Sequence, residues 1–313
     1  MIDYTFLFVT GLHRSGTSLL FQSLRENPQI SAFADTGVPE DEGQHLQDVY
    51  PPATRYGGPG RFGFAGPAHL TEQSPLATAA NAQRLFAAWA PHWNLALPVL
   101  MEKSPQDILQ TRLLQAFFPH SVFVVLTRHP VAVSLATQKW RKRSLYSLLE
   151  HWLVCHEQFA QDQPHLRRVQ VVQYEKFVAA PNEHLDCIAN LLGLRPGPSA
   201  NHVRGDVNRQ YFEKWDEARN GRLLRRYFDH LAVRFEDRCN RFGYSLKDCD
   251  AIGDLAYSPL ASTPAQVAPN QRFAALCRLA GECRGAAWST QKSLRKQLQG
   301  LLGQGRARKS AVH

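Results

Sequence analysis

The stretch Thr5-Phe6-Leu7-Phe8-Val9-Thr10-Gly11-Leu12-His13-Arg14-Ser15-Gly16-Thr17-Ser18 decides the fold. Its first six residues are continuously apolar, aromatic or β-branched, the pattern of a strand buried on both faces of a parallel sheet. A polar loop bracketed by glycines follows, and then a helical pattern, Ser18–Arg25, stopped at Asn27-Pro28. Two more runs, Val122–Thr127 and Val169–Gln173, have the same buried-strand composition. Pro130 opens a helical pattern over Val131–Trp140, and further helices are predicted at Ala77–Ala90, Gln106–Phe117, Ser144–Gln161 and Pro181–Leu192. Strand alternating with helix predicts an α/β fold, a P-loop-type doubly wound parallel sheet flanked by helices. Residues 55–67, rich in Gly, Pro and aromatics, read as a surface loop or lid. Residues 1–256 are expected to form the α/β domain. Residues 257–313 are expected to be a basic, Ala/Gln-rich extension, partly helical (around 271–302) or disordered.

Composition narrows the function. The chain has 313 residues, 44% of them hydrophobic, with 17 Phe, 9 Tyr and 6 Trp, which excludes disorder as the dominant state. Its longest apolar runs fall far short of the ~20 residues that a membrane-spanning helix needs. Net charge is +9, but six basic residues and no acidic one follow Gly285, leaving the first 285 residues at only +3. The basic balance is thus a property of the tail, which reads as a solvated segment; nucleic-acid binding is not expected. The N-terminus has no basic region ahead of its apolar run, so no signal peptide is expected. Six cysteines without C-x-x-C spacing read as free thiols in a reducing cytoplasm, and a zinc site is not expected.

The loop Gly11–Ser18 lies where backbone N–H groups and the positive end of a helix dipole face an anion. Arg14, Thr17 and Ser18 add donors. The spacing fits G-x-x-x-x-G-K-[ST], but Thr17 stands where a nucleotide triphosphatase carries Lys. The strand Val122–Thr127 ends in Arg128-His129-Pro130, where such an enzyme would carry a magnesium-holding Asp. A cation at the carboxyl edge of the sheet contacts an anionic ligand directly. A deviant P-loop kinase using Mg-ATP is therefore the rival enzyme reading. A non-catalytic basic binding protein on the same fold is the rival of another class; no metal-ligating residue is assigned.

In combination these residues resemble the sulfotransferases that use 3′-phosphoadenosine 5′-phosphosulfate. His13-Arg14-Ser15-Gly16-Thr17-Ser18 is similar to the family's 5′-phosphosulfate loop, which implies binding roles for Leu12, His13, Arg14, Ser15, Gly16, Thr17 and Ser18. Arg128 and Ser134 resemble its 3′-phosphate pair. The family's Ser falls eight residues after the Arg, whereas Ser134 falls six after and Ala136 stands at the eighth place, so Thr137 is an alternative. Glu102-Lys103-Ser104-Pro105 resembles a segment of the carbohydrate sulfotransferases, whose Lys lies near the transferred group. Tyr174-Glu175 resembles the segment bordering the adenine, which implies a nucleotide contact for Tyr174. The resemblance spans residues 5 to 190 and leans toward the carbohydrate and tyrosylprotein type.

The implied reaction is metal-independent, in-line displacement of the bridging phosphate oxygen by an acceptor hydroxyl. Cations offset the growing negative charge, for which Arg14 and Lys103 are candidates. A base must take the hydroxyl proton. In Glu40-Asp41-Glu42-Gly43-Gln44-His45, crowded carboxylates are expected to raise one another's pKa, and Glu42 and His45 share a helical face. Glu42 is the first candidate base, with His45 as partner or alternative. The pocket for the acceptor (carbohydrate, small molecule or peptide tyrosine) is expected to be shaped by the lid-like segment 46–75, and a homo-oligomer is compatible with the sequence. His13 and His129 either contact phosphate or fill their loops. Trp89, Trp140 and Trp152 read as core.

Overall fold

The computed structural model describes residues 4–200, 203–222 and 224–255. Strands β1 (Thr5–Gly11), β2 (Ile30–Ala32), β3 (Val99–Lys103), β4 (Ser121–Thr127) and β5 (Val169–Gln173) form one all-parallel sheet in the order β2-β3-β1-β4-β5. The expected α/β class is what the chain adopts. β4 is buried along its whole length and β1 at all positions but its first, as continuous apolar runs require. The chain leaves β1 toward β2 and β3 on one side and then crosses to β4 and β5 on the other. The carboxyl ends of β1, β3 and β4 therefore surround a topological switch point, where α/β sheets bind ligands.

Helices α1 (Thr17–Arg25), α2 (Ala79–Trp89), α3 (Thr111–Phe117), α4 (Pro130–Trp140), α5 (Leu145–Asp162), α6 (Tyr174–Ala179), α7 (Pro181–Leu192), α8 (Arg209–Asn220) and α9 (Arg225–Asn240) accompany the sheet. Thr78 caps α2 through the N–H of Asn81, and Ser144 caps α5 through the N–H of Ser147. One face of the sheet is covered by an aromatic core that includes Phe8, Trp89, Phe118, Phe123, Trp152 and Phe235. The other face is covered by Leu20, Phe21, Leu24, Phe177 and Ile188. Arg238 of α9 ties itself to α5 by ion pairs with Glu150 and Glu157.

Several expectations change. β2 has only three residues, too few for a strand signal, and β3 ends in Glu102-Lys103, charges that disguise a fully buried strand. The helix expected over Gln106–Phe117 splits into a 3-10 turn, Pro105–Leu109, and α3. Segment 55–67 is not a lid lying free on the surface. It consists of short 3-10 turns packed on α5, with Phe62 fully buried and Gly60 and Gly63 so close to Leu148 and Cys155 that a Cβ would collide. The expected division at residue 256, and with it the C-terminal extension, lies outside the described residues. No described helix is long and apolar enough to cross a membrane.

Candidate active site

The loop after β1 is built by backbone conformations that few side chains tolerate. Gly11 and Gly16 have φ of 151° and 99°, and Arg14 has φ of 71°. A Cβ on Gly11 would meet the Leu126 carbonyl oxygen at 2.2 Å, and one on Gly16 would meet the Tyr174 ring at 2.5 Å. Ser15 is fully buried, yet its hydroxyl has no partner. Such an unpaired group inside an anion-type loop at the start of α1 is a vacant donor for a phosphate-like ligand. Gly16→Ala is expected to cost about 1–3 kcal/mol of stability, read by thermal unfolding, from positive φ and the clash with Tyr174. Gly66→Ala, with nothing within 4 Å of its Cβ, is the control and should be near neutral.

Arg128, at the end of β4, is buried and reaches this loop. Its Nη1 donates to the Arg14 carbonyl oxygen at 2.9 Å and its Nε to Asn208 Oδ1 at 2.8 Å. The guanidinium lies 4.3 Å from the Tyr174 ring centre and 5.7 Å from that of Tyr211, while its Nη2 is buried without a partner. The two strand ends thus meet, but through the backbone of Arg14. The Arg14 side chain is exposed and lies 4.9 Å from the Trp140 ring. Glu175 braces the arrangement: it accepts from the His129 N–H at 2.9 Å, Asn208 Nδ2 at 2.7 Å and the Tyr244 hydroxyl at 3.1 Å. Burial raises its pKa against these hydrogen bonds. Asn208 and Tyr211 had no sequence signal, because they come from the C-terminal helical region, where no motif was read.

Ser134 and Thr137 line a narrow cavity with Leu12, His13, Gly60, Val133, Leu148 and His151, and Arg128 is not among its walls. The Ser134 hydroxyl is buried and unpartnered. At the eighth place after Arg128, Ala136 packs on Tyr211 instead. His129 fills its own loop: Nδ1 accepts from the Val131 N–H and Nε2 lies 3.0 Å from the Ser245 carbonyl. Burial first, then the charges of Lys103, Arg14 and Arg141, hold His13 neutral with a pKa of about 3.

The third element is the turn 42–45. Glu42, only 6% exposed, receives Lys103 Nζ at 3.1 Å on Oε1 and Gln44 Nε2 at 2.5 Å on Oε2. His45 Nε2 stands 4.0 Å from the same Oε2. Lys103 Nζ also donates to the Glu40 carbonyl at 3.1 Å. In register beside Val9, Lys103 lies just below the anion loop. Its strand neighbours hold the turn from beneath. Glu102 Oε1 accepts from the Gly43 N–H at 2.9 Å, and Ser104 Oγ accepts from the Gln44 N–H at 3.0 Å while donating to Glu102 Oε1 at 2.5 Å. Trp89 Nε1 donates to the Gly43 carbonyl.

The pKa of Glu42 is raised, but by burial and not by crowded carboxylates, and Lys103 opposes the rise. Glu40 is exposed, and hydrogen bonds from Thr36 lower Asp41. Burial raises the pKa of Glu102 and Asp107, both fully buried; the charges of Glu102 and Glu42 push Asp107 up further, whereas the hydrogen bond with Asp107 lowers Glu102. The sequence offered Glu102 only as the neighbour of Lys103. Trp89 and Trp152 are core, but Trp140 is 48% exposed beside the anion loop, contrary to expectation. Among the described residues no three His, Cys, Asp or Glu side chains gather in a metal-holding arrangement.

Residues 7–196 match the profile of the sulfotransferase family. No curated protein matches significantly. Among solved structures, a sulfotransferase from Alicyclobacillus acidocaldarius is 13% identical, covering 74% of this chain and 94% of its own, with a TM-score of 0.41. The sulfotransferase domain from the curacin biosynthetic pathway is 16% identical over 75% and 98%, with a TM-score of 0.42. A sulfotransferase from Mycobacterium tuberculosis H37Rv is 15% identical over 75% and 77%, with a TM-score of 0.43.

Proposed function

The chain belongs to the sulfotransferase family, and from that premise we propose that it moves a sulfuryl group from 3′-phosphoadenosine 5′-phosphosulfate to an acceptor hydroxyl, with Glu42 as general base. The observation that carries the reading is the buried Glu42–Lys103 pair, 3.1 Å apart, set beside an anion loop whose Ser15 hydroxyl is unpartnered. The donor supplies an activated sulfuryl group on a phosphate leaving group. The loop N–H groups from Leu12 to Ser18, with Arg14 and the Ser15 and Thr17 hydroxyls, bind and orient the phosphosulfate. Arg128, with a free Nη2, and Tyr174 hold the nucleotide on the far side of the loop, and Ser134 or Thr137 adds a hydroxyl.

Glu42 takes the proton of the acceptor hydroxyl as its oxygen bonds to sulfur and the S–O bond to phosphate breaks. Burial raises the Glu42 carboxyl toward the range where a base is effective, while Lys103 keeps the ionised form populated. Lys103 is also placed to offset charge on the sulfuryl and leaving oxygens. His45, 4.0 Å away, is the partner or alternative base.

Adenosine 3′,5′-bisphosphate is the direct test. Without metal, at about 100 times its Kd, it is expected to stabilise the protein by about 2.7 kcal/mol in thermal unfolding. Stabilisation by Mg-ATP with none by the bisphosphate would overturn the reading in favour of phosphoryl transfer.

A further inference from the structure

The residues at the mouth of the site go beyond what a nucleotide requires. The His13 ring lies between Phe62, at 5.8 Å, and Trp140, at 6.1 Å. Arg61 precedes Phe62 and Arg141 follows Trp140, and both arginines are exposed. The exposed Trp140 ring is faced by Arg14 at 4.9 Å and by Arg141 at 5.0 Å. Arg143 completes the group: besides partial burial, the charges of Arg61 and Arg141 bear on it.

No carboxylate lies within 4.0 Å of Arg14, Arg61, Arg141, Lys142 or Arg143 among the described residues, whereas Arg84, Arg112, Arg209 and Arg238 are each paired. The sequence has emptied this face of acid. No Asp or Glu occurs between Asp48 and Glu72, or between Asp107 and Glu150, a stretch that carries six Lys and Arg. Like charges gathered without counterions destabilise the protein that carries them, and a bound anion relieves this.

Resting on the sulfotransfer reading, we propose that the acceptor is itself an anion: Arg61, Arg141 and Arg143 hold a carboxylate, sulfate or phosphate group of the molecule whose hydroxyl meets Glu42. Guanidinium forks match the paired oxygens of these groups. Trp140 offers the acceptor carbons an apolar face. The imidazoles behind the rim carry no charge at neutral pH, since burial holds His13 and His151 at pKa values of about 3, so they add no cation to the arginines at the mouth. The nucleotide is served by a different set, namely the anion loop with Arg14, together with Lys103, Arg128 and Tyr174.

The test is calorimetric titration of protein loaded with adenosine 3′,5′-bisphosphate. The probes are p-nitrophenyl β-D-glucuronide, the 6-sulfate of p-nitrophenyl β-D-glucoside, and the neutral glucoside. At least one anionic probe is expected to bind about tenfold or more tightly than the glucoside, a difference of about 1.4 kcal/mol, and to lose that preference at high salt. The triple variant Arg61→Glu, Arg141→Glu, Arg143→Glu should abolish the preference while stabilisation by the bisphosphate persists, which also shows that it is folded. Equal affinity for all three probes, no binding of any, or an unchanged preference in the variant would overturn the proposal. Loss of nucleotide stabilisation in the folded variant, checked by circular dichroism, would overturn it too by assigning the rim to the donor. If the bisphosphate fails to stabilise the unmutated protein, it is the sulfotransfer reading that fails.

Discussion

Glu42→Gln is expected to lower kcat by about 10²–10⁴-fold, the range that a positioned proton acceptor supplies. Stabilisation by adenosine 3′,5′-bisphosphate should be unchanged, because the proposed role of Glu42 is toward the acceptor hydroxyl and not the nucleotide. The pH profile separates loss of the base from loss of shape. Glu42 works only when ionised, so in the unmutated enzyme kcat/KM should rise with pH through a value above the ordinary 4.5, as burial raises this carboxyl. That limb should vanish in Glu42→Gln. The variant also has a structural cost. Both carboxylate oxygens of Glu42 accept from donors, Lys103 Nζ and Gln44 Nε2. An amide can offer an oxygen to only one of them. Gln44 is fixed the other way round by the Ala53 N–H on its Oε1. One buried donor is left facing another, a loss of about 1–3 kcal/mol. Turnover surviving within tenfold would remove Glu42 from the base role and leave His45, for which His45→Asn is the next variant.

The fold was legible where one physical rule acted alone. Residues 5–10 and 122–127 are strands because a sheet buried on both faces accommodates such runs, and the similar run 169–173 forms the edge strand, where only its last two residues are buried. β3 escaped because its last two residues are charged, and a charge reads as surface unless its buried partners are known. Those partners, Gly43 and Glu42, lie 59 and 61 residues away in sequence. Glu102 and Asp107 stand close in sequence, but burial is what shifts them, and no local pattern shows it; Glu40, by contrast, is exposed and Asp41 is held by Thr36. Trp140 misled for a related reason. Its position in α4 is apolar in pattern, but the helix ends there, beside the anion loop. The site was visible as motifs at strand ends, Glu102 and Glu175 among them; their bracing contacts, and Asn208 altogether, became visible only when the chain was folded.

Lys103→Met is expected to show the second large effect, and its dependence on pH identifies the cause. Methionine fills most of the volume of the lysine stem, so packing changes little, but Glu42 loses its cation at 3.1 Å. Removing one partner of a buried pair typically costs about 3–5 kcal/mol, because the remaining charge has no compensation. Glu42 avoids part of that cost by binding a proton. Its folded pKa, already raised by burial, rises further once the opposing effect of Lys103 is gone. Between the unfolded and folded pKa values the native state then holds more protons than the unfolded chain, so stability falls as pH rises through that window. The variant should therefore lie close to the unmutated protein near pH 5 and fall behind it progressively toward pH 8, as read by urea unfolding at each pH. Activity follows a different course. In the proposed reaction Lys103 neutralises charge that grows on the sulfuryl and leaving oxygens, and loss of one such group is expected to lower kcat by about 10²–10³-fold. That loss persists at every pH at which the variant is folded. A stability difference that does not change with pH would mean that Glu42 and Lys103 are not electrostatically linked, and the base would then have to be sought elsewhere on the turn.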